Sequence, residues 1–499
     1  MALDQGTTSS RAIVFDRDGL VLGSAQEAFN QLYPEPGWVE HDPEEIWGTQ
    51  LRSSRLALER AGLKAADLAA IGIANQRETV LLWDAESGIP LGNAIVWQCR
   101  RTADRCLELK RAGFEPTVEA RTGLRLDPYF SATKLEWLLA NRPGASELLA
   151  KGRLRAGTID NFLIWRLTGG NLHATDHSNA SRTMLLDLRS LEWSDELLDL
   201  FGVPRRILPD LYPSSAVIGA TARPIFGTAV PIAGVAGDQQ AALFGQGGQS
   251  AGDSKNTYGT GCFLLMNVGS RPVSPQHGLL ATVAWTLGSD AGRVTYALEG
   301  SVFMAGGAVQ WLHDALGMID SPADVGPLAA QAADNGGVYF VPALTGLGAP
   351  YWDPYARGLL IGLTRGTLRE HVARAAEEAI CFQTRAVLDA MGRTSGVEPL
   401  ALKADGGAAG DDFLLQLQAD ILGIPVIRPR HRETTALGAA ALAGLAVGLW
   451  SQEDIAGLAG TDRSFAPRMA PDVRNSLYRE WQRAVERASG WERRCESDM

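Results

Sequence analysis

The stretch LDQGTTSSRAIVFD, residues 3–16, places a cluster of Gly, Thr and Ser between two apolar segments. This pattern predicts a strand, a tight turn and a second strand. The stretch NTYGTGCFLLM, residues 256–266, has the same pattern. About half of the 499-residue chain separates the two Gly-Thr turns at Thr7 and Thr260. The repetition indicates a duplicated unit, with one copy in each half of the chain.

The remaining sequence alternates between strand and helix patterns. Residues 70–74 and 232–236 are short apolar runs and predict buried strands, whereas residues 411–422 predict a helix that stops at Gly423. Strands mixed with helices are typical of an α/β fold. The Gly-rich residues 246–252 suggest a hinge, so we predict one domain over 1–246 and a second over 247–499.

Composition and charge exclude several classes of protein. Apolar residues make up 45% of the chain, charged residues 21%, and the formal net charge is −11. An acidic chain is poorly suited to bind nucleic acid or anionic membranes without specificity. The five cysteines form no C-x-x-C pair and no apolar leader follows Met1, which predicts a reduced, cytoplasmic protein. Residues 436–450 are read as a buried helix rather than a membrane span.

The common phosphate-binding motifs are missing from this sequence. No Gly-Lys dipeptide occurs, which excludes a Walker A loop, and neither H-R-D nor D-F-G is present. A G-x-G-x-x-G fingerprint is also missing. A nucleotide would therefore have to be held by another architecture.

The turn after Asp4 is one candidate for that role. Its backbone N–H groups can form a nest for an anion, its hydroxyls add donors, and Arg11 could neutralise a phosphate oxygen. Asp4, at the strand end, is placed to hold hydrated Mg²⁺. The competing interpretation is a plain hairpin turn. The nest residues are Gly6, Thr7, Thr8 and Ser9.

Two further segments allow either a chemical or a structural reading. Asp238 follows a strand and precedes a predicted helix of small residues, so it could act as a general base or simply cap the helix. Residues 402–411 join a strand to a helix through a Gly-rich loop, which suits a nucleotide but also an ordinary connection.

Other conspicuous residues are expected to be structural. His173 and His177 have i, i+4 spacing but no acidic catalytic partner that would complete a zinc motif. Four tryptophans are expected to be packing residues: Trp38, Trp47, Trp83 and Trp311.

Together these segments resemble the FGGY carbohydrate kinase family, and most closely its members that phosphorylate glycerol. The likeness covers nearly the whole chain and keeps the family's order of motifs. It rests on residues 4–12, 36–43, 75–79, 97–102, 127–134, 236–241, 258–263, 405–408 and 433–438.

The resemblance implies a fold. It is the actin-like ATPase (ribonuclease H-like) fold, with two duplicated α/β domains, a mixed five-stranded sheet in each and a cleft between them. The turns at Thr7 and Thr260 would face each other across that cleft and hold the phosphates of ATP from both sides.

The resemblance also implies the sites. Asp238 would be the catalytic base, and a small polyol, glycerol, would be bound by Arg77, Glu78, Trp97, Tyr129, Asp238, Gln239 and Phe263. ATP would be bound by Gly6, Thr7, Thr8, Ser9, Arg11, Thr260, Gly306, Gln310, Gly407 and Asp411. Mg²⁺ would be held by Asp4 and Asp238 through water.

Two departures from the family pattern affect these expectations. Asp411 stands where the glycerol-specific members usually carry Asn, and an ionised carboxylate cannot donate to adenine. The first strand is shorter than in the family, which we expect to weaken the sheet edge beside the first turn.

The resemblance leaves two rival functions open. One is an FGGY kinase for a larger sugar such as xylulose or gluconate, and the other is a non-metabolic actin-like ATPase. A homo-oligomer, dimer or tetramer, is implied, with no nucleic-acid or stable membrane partner.

Overall fold

The computed structural model describes residues 1–288 and 293–492, so Cys495 lies outside the described residues. Over those ranges the strands are β1 (Ala2–Gln5), β2 (Ser9–Phe15), β3 (Val21–Ala28), β4 (Glu40–His41), β5 (Ile71–Asn75), β6 (Val80–Asp84), β7 (Ala94–Ile95), β8 (Leu154–Thr158), β9 (Ala174–Asp176), β10 (Leu186–Asp187), β11 (Glu192–Trp193), β12 (Asp210–Tyr212), β13 (Ser215–Ala220), β14 (Pro231–Gly237), β15 (Asp253–Tyr258), β16 (Cys262–Gly269), β17 (Leu280–Thr286), β18 (Val294–Val302), β19 (Tyr339–Val341), β20 (Leu359–Ile361), β21 (Ala401–Asp405), β22 (Val426–Pro429) and β23 (Thr461–Phe465).

The α-helices over the same ranges are α1 (Pro43–Ala61), α2 (Ala103–Arg111), α3 (Glu115–Thr122), α4 (Ala132–Asn141), α5 (Ala145–Ala150), α6 (Ile159–Leu167), α7 (His177–Ala180), α8 (Asp195–Leu200), α9 (Arg223–Phe226), α10 (Asp238–Gly245), α11 (Gly306–Asp314), α12 (Val325–Ala329), α13 (Arg369–Ser395), α14 (Asp412–Leu422), α15 (Thr434–Ala446), α16 (Gln452–Leu458) and α17 (Pro471–Ala488). Short 3₁₀ turns lie at Ala65–Asp67, Arg205–Ile207, Pro322–Asp324 and Gly407–Gly410.

Both large sheets share one strand order, which fits the predicted duplication. The first sheet runs β13-β14-β5-β1-β2-β3, with β1, β5 and β14 parallel and the hairpins antiparallel. The second runs β17-β18-β16-β15-β21-β22-β23 with the same directions in its centre. In each, the hairpin that carries a Gly-Thr turn lies next to the first parallel pair.

The sheets are larger than the five strands that we expected in each. An antiparallel strand, β13 or β23, follows the fifth strand of the shared core, and β17 adds another edge to the second sheet. Strand β1 is not an edge of its sheet, because it lies between β2 and β5. The expected effect of its short length stays a prediction.

The predicted elements are found within a residue or two of their expected positions. The strands at 70–74 and 232–236 are β5 and β14, and the helix at 411–422 is α14, which Asp411 caps and Gly423 ends with a φ of 73°. The helix predicted over 436–450 is α15, which is buried but already ends at Ala446. No described helix is long and apolar enough to cross a membrane.

The tryptophans and the two histidines have the structural surroundings that we expected. Trp83 packs with His173 at 5.4 Å between ring centroids, and Trp311 stacks on Phe340. His177 shares a 2.9 Å hydrogen bond with Thr286. Trp47 is 9% exposed, and Trp38 covers the guanidinium of Arg101 at 3.8 Å.

Helix α15 joins the two halves of the chain. Although it belongs to the C-terminal half of the sequence, it packs on β5 and β14 of the first sheet and on α10. Glycines make this approach possible. A Cβ at Gly72 would lie 2.0 Å from Ala439 O, and one at Gly438 would lie 1.8 Å from Ala241 O. Real Cβ atoms do not approach a carbonyl so closely, so the contact needs glycine on both sides.

We expect Gly72→Ala to destabilise the protein by about 1–3 kcal/mol or more, because the added methyl must push α15 off the sheet. Urea denaturation of the purified variant measures this change. Gly457→Ala in α16 is the control, since nothing lies within 4 Å of a Cβ built at Gly457. It should be neutral or stabilise by up to about 1 kcal/mol through helix propensity. Equal stabilities for the two variants would contradict the packing argument.

Candidate active site

The first Gly-Thr turn is a closed hairpin with its arginine engaged. Gly6 N donates to Ser9 O at 3.0 Å, which leaves Thr7 half-buried and Thr8 exposed. Arg11 lies opposite Asp4 in the β1–β2 register. Its guanidinium pairs with Glu433, just before α15, and donates to Gln26 at 3.0 Å. A phosphate at this turn would therefore compete with Glu433 for Arg11.

Two carboxylates lie close together beside this turn. Burial raises the pKa of Asp4 to about 6; the charge of Arg11 opposes this shift, and the negative charge of Asp238 adds to it. Asp238 is the first residue of α10, where its Oδ1 accepts from the backbone N of Gln239 at 2.7 Å. A pair of carboxylates next to a phosphate turn is a donor set that suits Mg²⁺, which usually takes one or two protein carboxylates and completes its shell with water and phosphate.

The second Gly-Thr turn is fixed by the start of α11. Gly259 N donates to Gly261 O at 2.9 Å, and Thr260 O accepts from Ala305 N at 2.8 Å and Gly307 N at 2.9 Å. A Cβ at Gly306 would lie 2.6 Å from Gly259 O, so glycine is needed where helix and turn touch. One turn later, Gln310 is exposed and donates to Asp314 at 2.8 Å.

The Gly-rich loop after β21 lies open, and its acidic residue has a structural role. Gly407 begins the short 3₁₀ turn, with nothing within 4 Å of a Cβ there. Asp411 Oδ1 accepts from Phe413 N at 2.8 Å and so caps α14. Asp and Asn are equally good at this position of a helix, so the departure from the family leaves the cap intact.

Four buried charges form a cluster that includes two of the predicted polyol-binding residues. They are Arg77, Glu78, Arg182 and Glu299, each at most 3% exposed. Arg77 donates to both carboxylate oxygens of Glu299, at 2.6 and 3.0 Å. Arg182 donates to Glu78 at 2.7 Å and to Glu299 at 3.0 Å. Two positive and two negative charges thus compensate each other away from water, as buried ions require.

The pKa values of the two glutamates in this cluster are shifted in opposite directions. Burial raises the pKa of both, but for Glu299 the charges of Arg182 and Arg77 outweigh burial and hold its pKa at about 2. For Glu78, burial prevails and its pKa is raised. Glu78 also has a φ of 63°, a left-handed conformation that is costly for a residue with a side chain. Such strain is concentrated at functional sites, where surrounding contacts enforce it.

Arg77 connects this cluster to Asp238, the predicted general base. Its Nε lies 3.4 Å from Asp238 Oδ1, and its Nη2 donates to the Tyr129 hydroxyl at 3.3 Å. The ring of Tyr129 packs edge-on against Trp97 with centroids 5.5 Å apart. Trp97 Nε1 in turn donates to Thr7 Oγ1 at 3.0 Å. The predicted pocket residues and the first turn therefore form one continuous constellation.

The remaining predicted pocket residues lie at its border. Gln239 Oε1 accepts from the ammonium group of Lys255, a fully buried side chain of β15. Phe263, half-buried on β16, lies opposite Ser301 in register, two residues from Glu299 along β18. No described contact joins the two Gly-Thr turns directly, so their joint action on a nucleotide stays a prediction.

Sequence reasoning did not find Arg182, Glu299 or Lys255. One signal was available for Glu299, which is the single charge in the strand VTYALEGSV of β18. An isolated charge in such a strand indicates a buried partner. Lys255 just precedes the second turn motif, but nothing in its spacing tells that its ammonium group reaches Gln239 of the other half.

Two sheets of one topology, two Gly-Thr turns and an acidic residue at the start of a helix are the features of the actin-like ATPase fold. Family models of the FGGY family of carbohydrate kinases match the chain, the N-terminal domain over residues 1–245 and the C-terminal domain over 254–447. The chain belongs to the FGGY family of carbohydrate kinases.

The chain is similar to individual proteins over nearly its full length. The chain is 58% identical over 492 residues to the glycerol kinase of Symbiobacterium thermophilum, covering 98% of each protein. It is 56% identical over 495 residues to glycerol kinase 2 of Thermotoga maritima, covering 99% of each. Among solved structures, the glycerol kinase of Plasmodium falciparum with ADP matches with a TM-score of 0.93 and 34% identity, covering 97% of both chains.

We expect Glu299→Gln to destabilise the protein by about 3–5 kcal/mol, since it leaves two buried arginines with one carboxylate between them. Urea denaturation checks this value. Glu196→Gln is a control of the same chemistry, because Glu196 pairs with Arg121 on the exposed surface and should matter little. An unchanged denaturation midpoint for Glu299→Gln would show that the cluster does not hold its charges as described.

A second expectation follows from Asp4. Its folded-state pKa is raised, so its ionisation destabilises the folded protein, and that penalty is complete only above about pH 6. Asp4→Asn should therefore raise the unfolding free energy by about 1–3 kcal/mol at pH 8, and the gain should shrink as pH falls towards 4. Denaturation series at several pH values measure it, with the exposed Asp18→Asn as control. A gain independent of pH would contradict the assignment.

Proposed function

We propose that this protein transfers the γ-phosphoryl group of ATP to a primary hydroxyl of glycerol and so forms sn-glycerol 3-phosphate. The observation that carries the proposal is the joining of Arg77, Asp238, Tyr129 and Trp97 to the first phosphate turn. The full-length likeness to glycerol kinases supports glycerol as the acceptor.

The polyol would be recognised by groups that satisfy both functions of a hydroxyl. A hydroxyl donates and accepts, so a carboxylate beside a guanidinium pairs with it completely. Glu78 and Arg77 provide this combination, with Asp238 and Gln239 at the other side. Trp97 and Phe263 would cover the carbon chain. An acceptor that lacks one hydroxyl should be rejected, because it would leave buried charges unpaired.

Asp238 would act as the general base. One of its oxygens accepts from Gln239 N and faces Arg77, which fixes the carboxylate and leaves its second oxygen for the attacking hydroxyl. Proton removal by a positioned general base contributes about 10²- to 10⁴-fold in rate. The proton moves from the glycerol oxygen to the carboxylate as that oxygen attacks the γ-phosphorus in line with the leaving ADP.

The nucleotide would lie between the two turns. Thr7, Thr8, Ser9 and Arg11 would hold phosphates from the first, and Thr260 and Gly306 from the second. Gly407 and Asp411 would lie at the base, with Gln310 on the exposed rim. Asp4 and Asp238 would hold Mg²⁺ through water, and the ion would neutralise charge on the phosphates.

We further propose that the segments 1–246 and 247–499 close on the substrates. Gln246 follows directly after α10 and lies at the boundary of the two segments. Its side-chain amide donates to Asp405 at 2.6 Å and its main-chain carbonyl accepts from Lys403, which supports a pivot at this position. Closure would exclude water and suppress ATP hydrolysis. The two segments share α15, so closure would bend the α10–α15 contact rather than separate two independent bodies.

The cytoplasm is the proposed compartment. Cys99, Cys106, Cys262 and Cys381 are free, buried thiols, and ATP is available there. The dimer or tetramer implied by the family resemblance stays a prediction.

A comparison of acceptors tests the substrate. ADP release should be fast with glycerol, slower with dihydroxyacetone, and close to background with xylulose, gluconate or no acceptor. Faster release with xylulose or gluconate would favour a sugar kinase. Release that no acceptor stimulates would favour a non-metabolic ATPase.

We expect Asp238→Asn to lower kcat by about 10²- to 10⁴-fold while the affinity for glycerol changes little. The amide oxygen can still accept from Gln239 N, so the pocket keeps its shape, but the group no longer takes a proton. Steady-state kinetics and calorimetric titration with glycerol measure the two quantities. A kcat equal to that of the wild type would refute the role of Asp238 as base.

A further inference from the structure

A closed ring of hydrogen bonds lies behind the first phosphate turn. Its members are Thr7, Gln31, His41, Gln76, Thr79 and Trp97. Gln31 Nε2 donates to Thr7 O at 3.1 Å, and His41 Nε2 lies 2.7 Å from Gln31 Oε1. Gln76 Nε2 lies 3.3 Å from His41 Nδ1.

The ring closes on its other side through Thr79 and Trp97. Thr79 Oγ1 donates to Gln76 Oε1 at 2.9 Å and accepts from Trp97 N at 3.2 Å. The indole of Trp97 then donates to Thr7 Oγ1 at 3.0 Å. Thr7 is therefore held by two hydrogen bonds, one from Gln31 to its carbonyl oxygen and one from Trp97 to its hydroxyl oxygen.

The directions of these bonds assign one tautomer to His41. Gln31 uses its amide N–H to bond Thr7 O, so its oxygen must accept, and His41 Nε2 must carry the proton. Gln76 uses its oxygen to accept from Thr79, so its N–H₂ donates to Gln5 Oε1 and Gly6 O at 3.1 and 3.2 Å and also faces His41 Nδ1 at 3.3 Å, where an unprotonated nitrogen fits. A second proton on the ring would oppose the N–H₂ of Gln76. Burial lowers the pKa of His41 to about 4, which agrees with a neutral ring.

The ring also touches the substrate side. Gln76 directly precedes Arg77, and Trp97 packs on Tyr129. Gln76 Nε2 lies 3.2 Å from Gly6 O as well, so the turn is held at two successive carbonyls. A shift of any member would be passed to the turn, because His41 is fully buried and lies against Phe29 with ring centroids 5.0 Å apart.

We propose that His41 is a positioning residue for nucleotide binding, which fixes the first phosphate turn through Gln31 and links it to the pocket wall at Trp97. The proposal rests on the proposed function only in taking that turn to bind ATP. His41 itself touches neither substrate and acts through Gln31 and Gln76.

Three substitutions separate the two bonds of His41. His41→Phe keeps the ring shape and removes both bonds. His41→Gln can place an amide N–H near the former Nε2 and so can still reach Gln31. His41→Asn can place an oxygen near the former Nδ1 for Gln76 but does not reach Gln31. His173→Phe is the matched control, because His173 is another largely buried histidine in an aromatic cluster with Trp83 and Trp165.

We expect the Phe and Asn variants to bind MgATP about tenfold more weakly by calorimetry and to show a similar rise in KM for ATP. The Gln variant should recover most of this loss, and KM for glycerol should change less than about twofold in all three. His173→Phe should leave both constants unchanged, even if its melting temperature falls. In the wild type, ¹⁵N spectra of the imidazoles should show several neutral rings with the proton on Nε2, His173 among them, and one of these signals should be missing in His41→Asn.

Several outcomes would overturn the proposal. One is wild-type affinity for MgATP in the Asn variant, and another is equal losses in the Asn and Gln variants. A charged His41 at pH 7 would do the same. If His41→Phe does not fold, the Asn and Gln pair decides the question. The calorimetric titration needs no turnover, so a failure of the wild type to phosphorylate glycerol would refute the proposed function and leave this test intact.

Discussion

The buried ion pairs among Arg77, Glu78, Arg182 and Glu299 set the geometry of the site. An ion that leaves water loses several kcal/mol of hydration, and only close partners of opposite sign restore it. Each member of this cluster therefore constrains the others, and the constraint acts across the whole chain. Arg77 and Glu78 follow β5 of the first sheet, Arg182 follows α7, and Glu299 lies in β18 of the second sheet. The pocket can form only where the two halves meet.

Close backbone packing brings those halves together. Gly72 and Gly438 let α15 lie directly on the first sheet and on α10, so that Asp238, at the start of α10, is held at a fixed height above the parallel strands. A polar layer faces α10 from the other side, where Lys255 reaches Gln239 and Asp405 accepts from Gln246. Helix α10 is thus in close backbone contact with α15 and is hydrogen-bonded to the second sheet through Gln239 and Gln246.

Two carboxyl groups of the site are harder to ionise here than they would be in water. Asp4 and Glu78 both have raised pKa values because of burial, and Glu78 adopts a left-handed backbone. Such features persist only where the surroundings over-determine them. The hydrogen-bonded ring through His41 and the charge cluster at Arg77 provide those surroundings on either side of the first turn.

The sequence by itself determined the local elements and the class of the protein. The two Gly-Thr turns, the strand before Asp238 and the helix between Asp411 and Gly423 follow from residue order, because turns, caps and apolar periods are local properties. The motifs also pointed to Arg77, Glu78, Tyr129 and Asp238. Only the tertiary structure decided that Arg182 and Glu299 pair with Glu78 and Arg77, that Lys255 reaches Gln239, that Arg11 pairs with Glu433, and that α15 crosses to the first sheet. These contacts join residues that are far apart in the chain. The partner of a buried charge is the group that lies next to it in the folded protein, and the spacing of residues along the sequence does not show which group that is.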